Sequence, residues 1–157
     1  MSGKIVNFYI AKDSQSEIQS VNEIVLIKDS GIFGDRYSVK KGSFSEQEGE
    51  IKPKRQVTLI EKENIDDLNI LLETNFDYGA FRRNILVSNC DLNALVGKEF
   101  SIGNVVLKGI RLCEPCSLLS KRLNNKKVLK TLIGKGGLRA EIIQGGGLSL
   151  RDQIETK

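Results

Sequence analysis

Short apolar runs broken by polar turns dominate the chain. Residues 3–11 and 21–28 each read as a strand, the second closed by Asp29-Ser30-Gly31. Residues 31–36 hold two glycines and an Asp-Arg pair, which makes a turn. Residues 38–54 are polar and charged, with Pro53 near their end, the pattern of a surface loop. The β-branched run 56–60 predicts a strand. A helix should follow over 61–72, where Ile65, Leu68 and Leu72 share one face. Residues 83–88 read as a strand and residues 91–95 as a helical turn stopped at Gly97. Strands over 99–102 and 105–112 meet at Gly103-Asn104, a tight-hairpin signal. Residues 117–123 and 126–133 read as helical. Residues 138–143 read as a strand, and a last short strand is expected near 148–150.

Strands outnumber helices, and regular strand–helix alternation is missing. The expected fold is therefore mainly β: one domain over residues 1–157, built as a closed or nearly closed barrel with a few short helices. Hydrophobic residues at 39% and charged residues at 28% fit an ordinary globular chain. No apolar run approaches the roughly 20 residues of a membrane span. The first residues carry no cleavage-site pattern, so the expected location is the cytoplasm. A net charge of +4 is mildly basic. It suits a small anionic partner better than nucleic acid, for which neither a long basic stripe nor an aromatic-rich motif is present.

Histidine is absent altogether. That excludes Ser-His-Asp and Cys-His catalysis, HExxH metal sites and Cys₂His₂ fingers. Three cysteines remain, Cys90, Cys113 and Cys116. They are too few for a Cys₄ zinc site, and their odd number argues against a disulfide framework. Cys90, alone at a strand end, reads as packed. Cys113 and Cys116 flank Glu114-Pro115 in a C-x-x-C spacing. That spacing leaves open a redox dithiol, a single thiolate on a soft metal or a sulfur carrier, and two packed thiols in a turn. Arg111 lies two residues before Cys113 and should share its face if the strand stays regular. Arg82 and Arg83 should point to opposite faces at the start of a strand, and either guanidinium suits a phosphate or carboxylate.

Several stretches, in order, resemble the MOSC domain, the family related to the C-terminal domain of molybdenum cofactor sulfurases. They are Gly31-Ile32-Phe33-Gly34-Asp35-Arg36-Tyr37, residues 55–60, residues 82–88, residues 91–97 and residues 102–116 ending in Cys113-Glu114-Pro115-Cys116. Gly136-Gly137-Leu138-Arg139-Ala140 and Gly145-Gly146 complete the set. The resemblance implies a β-barrel and a role in sulfur or molybdenum-cofactor (molybdopterin) chemistry. In MOSC-containing amidoxime-reducing enzymes the second cysteine of the corresponding segment binds molybdenum, which implies Cys116 as metal ligand with Cys113 supporting it. A Phe-Arg-x-Asn segment at the cofactor there matches Phe81-Arg82-Arg83-Asn84. This implies Arg82 and Asn84 as cofactor contacts, with Arg111 beside the thiol. Pyridoxal phosphate, if it takes part, belongs on a separate partner protein. Two features depart from the pattern: Tyr37 stands where many members have histidine, and the N-terminal barrel domain of the amidoxime reducers is missing. The functional expectation is a sulfur carrier or molybdenum-binding protein using a Cys thiolate, served by a small anionic cofactor or a sulfur donor protein. The alternatives are a non-catalytic module that binds a cofactor or partner, and a dithiol redox protein.

Overall fold

Alternation of apolar and polar side chains puts one row of each strand into a common interior, and hydrogen-bonded closure leaves no free edge around it. A computed structural model describes residues 2–13, 15–38, 56–115 and 117–156. The strands are β1 (Ser2–Ile10), β2 (Gln19–Val21), β3 (Glu23–Ile27), β4 (Gly31–Ile32), β5 (Val57–Glu61), β6 (Ile85–Ser88), β7 (Glu99–Ile102), β8 (Val105–Leu112), β9 (Leu138–Gln144), β10 (Gly146–Ser149) and β11 (Gln153–Thr156). The helices are α1 (Lys62–Leu72), α2 (Ser117–Arg122) and α3 (Lys127–Thr131), with 3₁₀ turns at Tyr78–Phe81 and Leu92–Leu95. Among the described residues, seven strands close the barrel in the order β1, β6, β5, β9, β8, β7, β11. Closure comes from β11 against β1, with Gly3 opposite Ile154. β2 adds to β1, and β10, β3 and β4 form a second small sheet.

Two cores result. Phe8, Val57, Leu59, Ile85, Phe100, Leu107 and their neighbours fill the barrel. Tyr9, Ile60 and Leu86 face outward from β1, β5 and β6, where Ile65 and Leu68 of α1, Leu119 of α2 and Val128 of α3 cover them. Burying each such side chain stabilises by about 1.5–3 kcal/mol before entropy is counted.

Most predicted elements form near their expected bounds. Asn22 splits the single strand expected over 21–28, so that β2 and β3 serve different sheets. β11 went unpredicted: its four residues, Gln153–Thr156, offer only Ile154 to the core, and that side chain is fully buried. Most of the loop expected over 38–54 lies outside the described residues. The strand expected from residue 83 begins only at Ile85, because Arg82 takes a left-handed backbone, φ 60°. The rule of opposite faces for Arg82 and Arg83 therefore does not apply.

Candidate functional site

The Cys113 segment leaves β8 and runs directly toward α2. Its position is fixed by neighbours distant in sequence. The Cys113 amide donates to the Gly137 carbonyl at 2.8 Å. A Cβ on Gly136 would strike the Cys113 carbonyl oxygen, and one on Gly137 (φ 106°) would strike that of Leu59. The two glycines thus let the entry to β9 lie flat between Cys113 and β5. Glu114 accepts from the Gly134 amide at 3.4 Å. Arg83 then ties this corner to the next: its Nε donates to the Gly136 carbonyl at 2.9 Å.

Arginines crowd the adjoining corner. Arg82 donates to the Ser16 carbonyl at 2.8 Å and the Asp13 carbonyl at 3.1 Å. Its Nε is buried and has no hydrogen-bond partner among the described residues. Burial, and then the positive charges of Arg36 and Arg122, lower the Arg82 pKa to about 10, while Tyr37 and Asp35 oppose the shift. Arg36 pairs with the fully buried Asp35 at 2.9 Å, donates to the Arg82 carbonyl at 2.8 Å and lies over the Tyr37 ring. Asp35 also accepts from the Ala11 amide at 3.0 Å, so the Gly31–Tyr37 turn is pinned to the end of β1.

The predicted site residues separate into three kinds. Cys113 is buried, and its corner is tied through Gly136 to Arg83, the residue after Arg82. Arg111 is solvent-exposed, whereas Cys113 is not: β8 bulges between Gly109 and Arg111 and ends at Leu112, so the pair does not share an environment. Asn84 is fully buried behind the surface. Its Oδ1 accepts from the Thr58 amide at 3.0 Å and from the Thr58 hydroxyl at 3.2 Å. Its Nδ2 donates to the Tyr9 carbonyl at 3.1 Å. It therefore clamps β1, β5 and β6 and sets where Arg82 and Arg83 emerge. Cys116 lies outside the described residues; α2 begins at the next position, Ser117.

The resemblance favours Arg82 over Arg83 as a ligand contact, and it is Arg83 that bonds Gly136 at the Cys113 corner. Arg122 drew no notice, yet its charge acts on Arg82. The available signal was compositional, since residues 115–140 contain no acidic residue. Cys90, by contrast, is half-buried against Gly3, and its thiol is pushed up to about 11 by burial and then by the carboxylates of Glu61, Asp91 and Glu63.

Among the described residues no group of three or more Cys, His, Asp or Glu could hold a metal ion. The described donors are rich in guanidinium, which fits the phosphate of an anionic ligand.

The chain belongs to the MOSC domain family, whose model matches residues 46–155. Solved structures agree on the fold. The YuaD protein from Bacillus subtilis superposes with a TM-score of 0.83 at 19% identity, covering 99% of this chain and 95% of that one. YiiM from Escherichia coli gives 0.75 at 18% identity, over 100% of this chain and 70% of that one. YiiM from Geobacillus stearothermophilus gives 0.75 at 13% identity, over 99% and 75%. No curated protein matches the sequence.

Proposed function

We propose that this MOSC domain binds a phosphate-bearing cofactor of the molybdopterin type beside the Cys113–Cys116 segment, with Cys116 as the thiolate that ligates the metal or carries sulfur. The supporting observation is the arginine corner. The charges of Arg36 and Arg122 act on Arg82, whose buried Nε has no hydrogen-bond partner among the described residues. An anion there would satisfy that donor and offset the mutual repulsion.

The roles follow. Arg82 and Arg122 hold the anion, Arg111 adds positive charge from the end of β8, and Asn84 positions Arg82 and does not touch the ligand. Burial of Cys113 suits a supporting thiol. When bound, the cofactor would supply the redox chemistry of molybdenum. As a carrier, the Cys116 thiolate would attack the terminal sulfur of a donor protein's persulfide; the S–S bond breaks and the donor leaves as its thiolate.

Native mass spectrometry with elemental analysis tests this on protein from a host that makes the cofactor. Wild type should carry molybdenum or the mass of an added sulfur atom, Cys116→Ser neither, and Cys90→Ser the same as wild type. Wild-type protein with neither species would sink the reading.

A further inference from the structure

The stretch just after Cys116 has an unusual charge distribution. Residues 117–135 hold Lys121, Arg122, Lys126, Lys127, Lys130 and Lys135 and no acidic residue. With a net charge of +4 for the whole chain and six cations in this stretch, the remainder carries −2. All six cationic side chains are exposed on α2, α3 and the turns around them. Two large apolar side chains of the same stretch are exposed as well, Leu129 at 38% and Ile133 at 64%. The opposite sides of these helices are accounted for, because Leu119, Val128 and Leu132 are buried against the barrel wall.

We infer that the outer face of α2 and α3 is a docking surface for an acidic protein segment with apolar residues among its carboxylates. Charge complementarity selects the sign of the partner. The exposed Leu129 and Ile133 select its class: they match the apolar centre of a protein interface, whereas phosphates would leave them uncovered. Residues 117–139 contain no aromatic side chain on which a base could stack. Helices of six and five residues are short for an amphipathic helix lying in a lipid surface. The inference rests on the proposed function in one respect: α2 follows Cys116 directly in the chain, and a sulfur donor or acceptor protein is the partner that the thiolate reading calls for.

Fluorescence anisotropy of labelled peptides with the full chain tests it. The probes are a twenty-residue peptide of alternating Glu and Leu-containing blocks, the same peptide with Ser for Leu, a twenty-nucleotide oligothymidylate, and phosphatidylglycerol-containing vesicles. The Glu/Leu peptide should bind most tightly, and its affinity should fall with salt. Lys127→Glu with Lys130→Glu should weaken it by roughly tenfold, and Leu129→Ser with Ile133→Ser should remove its advantage over the Ser peptide. Lys4→Glu, on β1, should change nothing. Tighter binding of the oligonucleotide or the vesicles would overturn the inference. So would self-association of the wild type, by sedimentation, that the same lysine substitutions abolish. Cys116→Ser should leave peptide binding intact while removing bound metal or sulfur, and the lysine pair should do the reverse. Failure of the docking face is thereby separable from failure of the thiolate reading.

Discussion

Cys90 and Cys113 each follow a strand and precede a short helical segment, yet their surroundings differ. Cys90 comes two residues after β6, packed on Gly3 and ringed by Glu61, Glu63 and Asp91. Glu61 and Glu63 are themselves engaged, accepting from the Leu92 and Asn89 amides. Any negative charge on that sulfur would face three carboxylates, and its pKa rises to about 11. Cys113 opens a segment bordered by Arg83 through Gly136 and by α2, beyond which no acidic residue occurs until Glu141. The contrast teaches that local sequence form, strand then cysteine then helix, does not decide thiol chemistry. At Cys90, burial comes first and the carboxylates that tertiary packing gathers around the sulfur add to it.

The harshest way to break the Cys113 side is Gly137→Ala. The added methyl meets the Leu59 carbonyl at a φ that L residues seldom adopt. A loss of about 3 kcal/mol is expected, which for a chain of this length lowers Tm by roughly 6–12 °C. A calorimetric shift below about 2 °C would mean that β9 and the Cys113 loop relax freely. Asn84→Ala comes next. It leaves the Thr58 amide and the Tyr9 carbonyl buried without their side-chain partner, at a cost of about 2 kcal/mol. Urea unfolding should register the loss with an unchanged slope, while the alkylation profile of Cys90 stays where it was.

A milder change sharpens the other side. Glu61→Gln keeps an acceptor for the Leu92 amide and removes one carboxylate from Cys90. The thiol pKa should then fall below about 11, read as the pH midpoint of iodoacetamide labelling by peptide mass spectrometry. No movement would mean that the Glu61 carboxylate does not act on the thiol. The sign for stability follows from the same shift. The folded thiol holds its proton above the unfolded midpoint, so its contribution is complete below that midpoint and is lost as pH rises toward 11. The smallest expected effect is Arg122→Gln. Removing one neighbouring cation should raise the Arg82 pKa from about 10 and weaken phosphate binding by roughly threefold, measured by calorimetry at low salt.

Legibility varied along the chain for physical reasons. The Gly103-Asn104 hairpin and α1 were readable because turn chemistry and a 3.6-residue period are local. β11 was not, since its place depends on pairing with both β1 and β7 and its sequence, Gln153–Thr156, is largely polar. At the site, the cysteine segment and the arginines were visible as residue types. Their division of labour was not. Arg82 turns through a left-handed backbone, Arg83 reaches Gly136 across 53 positions, and Asn84 disappears into a three-strand clamp.

The amino-acid sequence by itself determined the β-rich barrel class, the exclusion of histidine chemistry and the family, because patterning, composition and ordered motifs are properties of the chain alone. Tertiary structure decided which thiol lies among carboxylates and which is buried where the chain meets Gly136 and Gly137. It also decided that Arg82 keeps a buried donor without a partner among the described residues, and that α2 and α3 leave their cations exposed. Electrostatic energy depends on distance and burial between groups far apart in sequence, and only the folded chain fixes those.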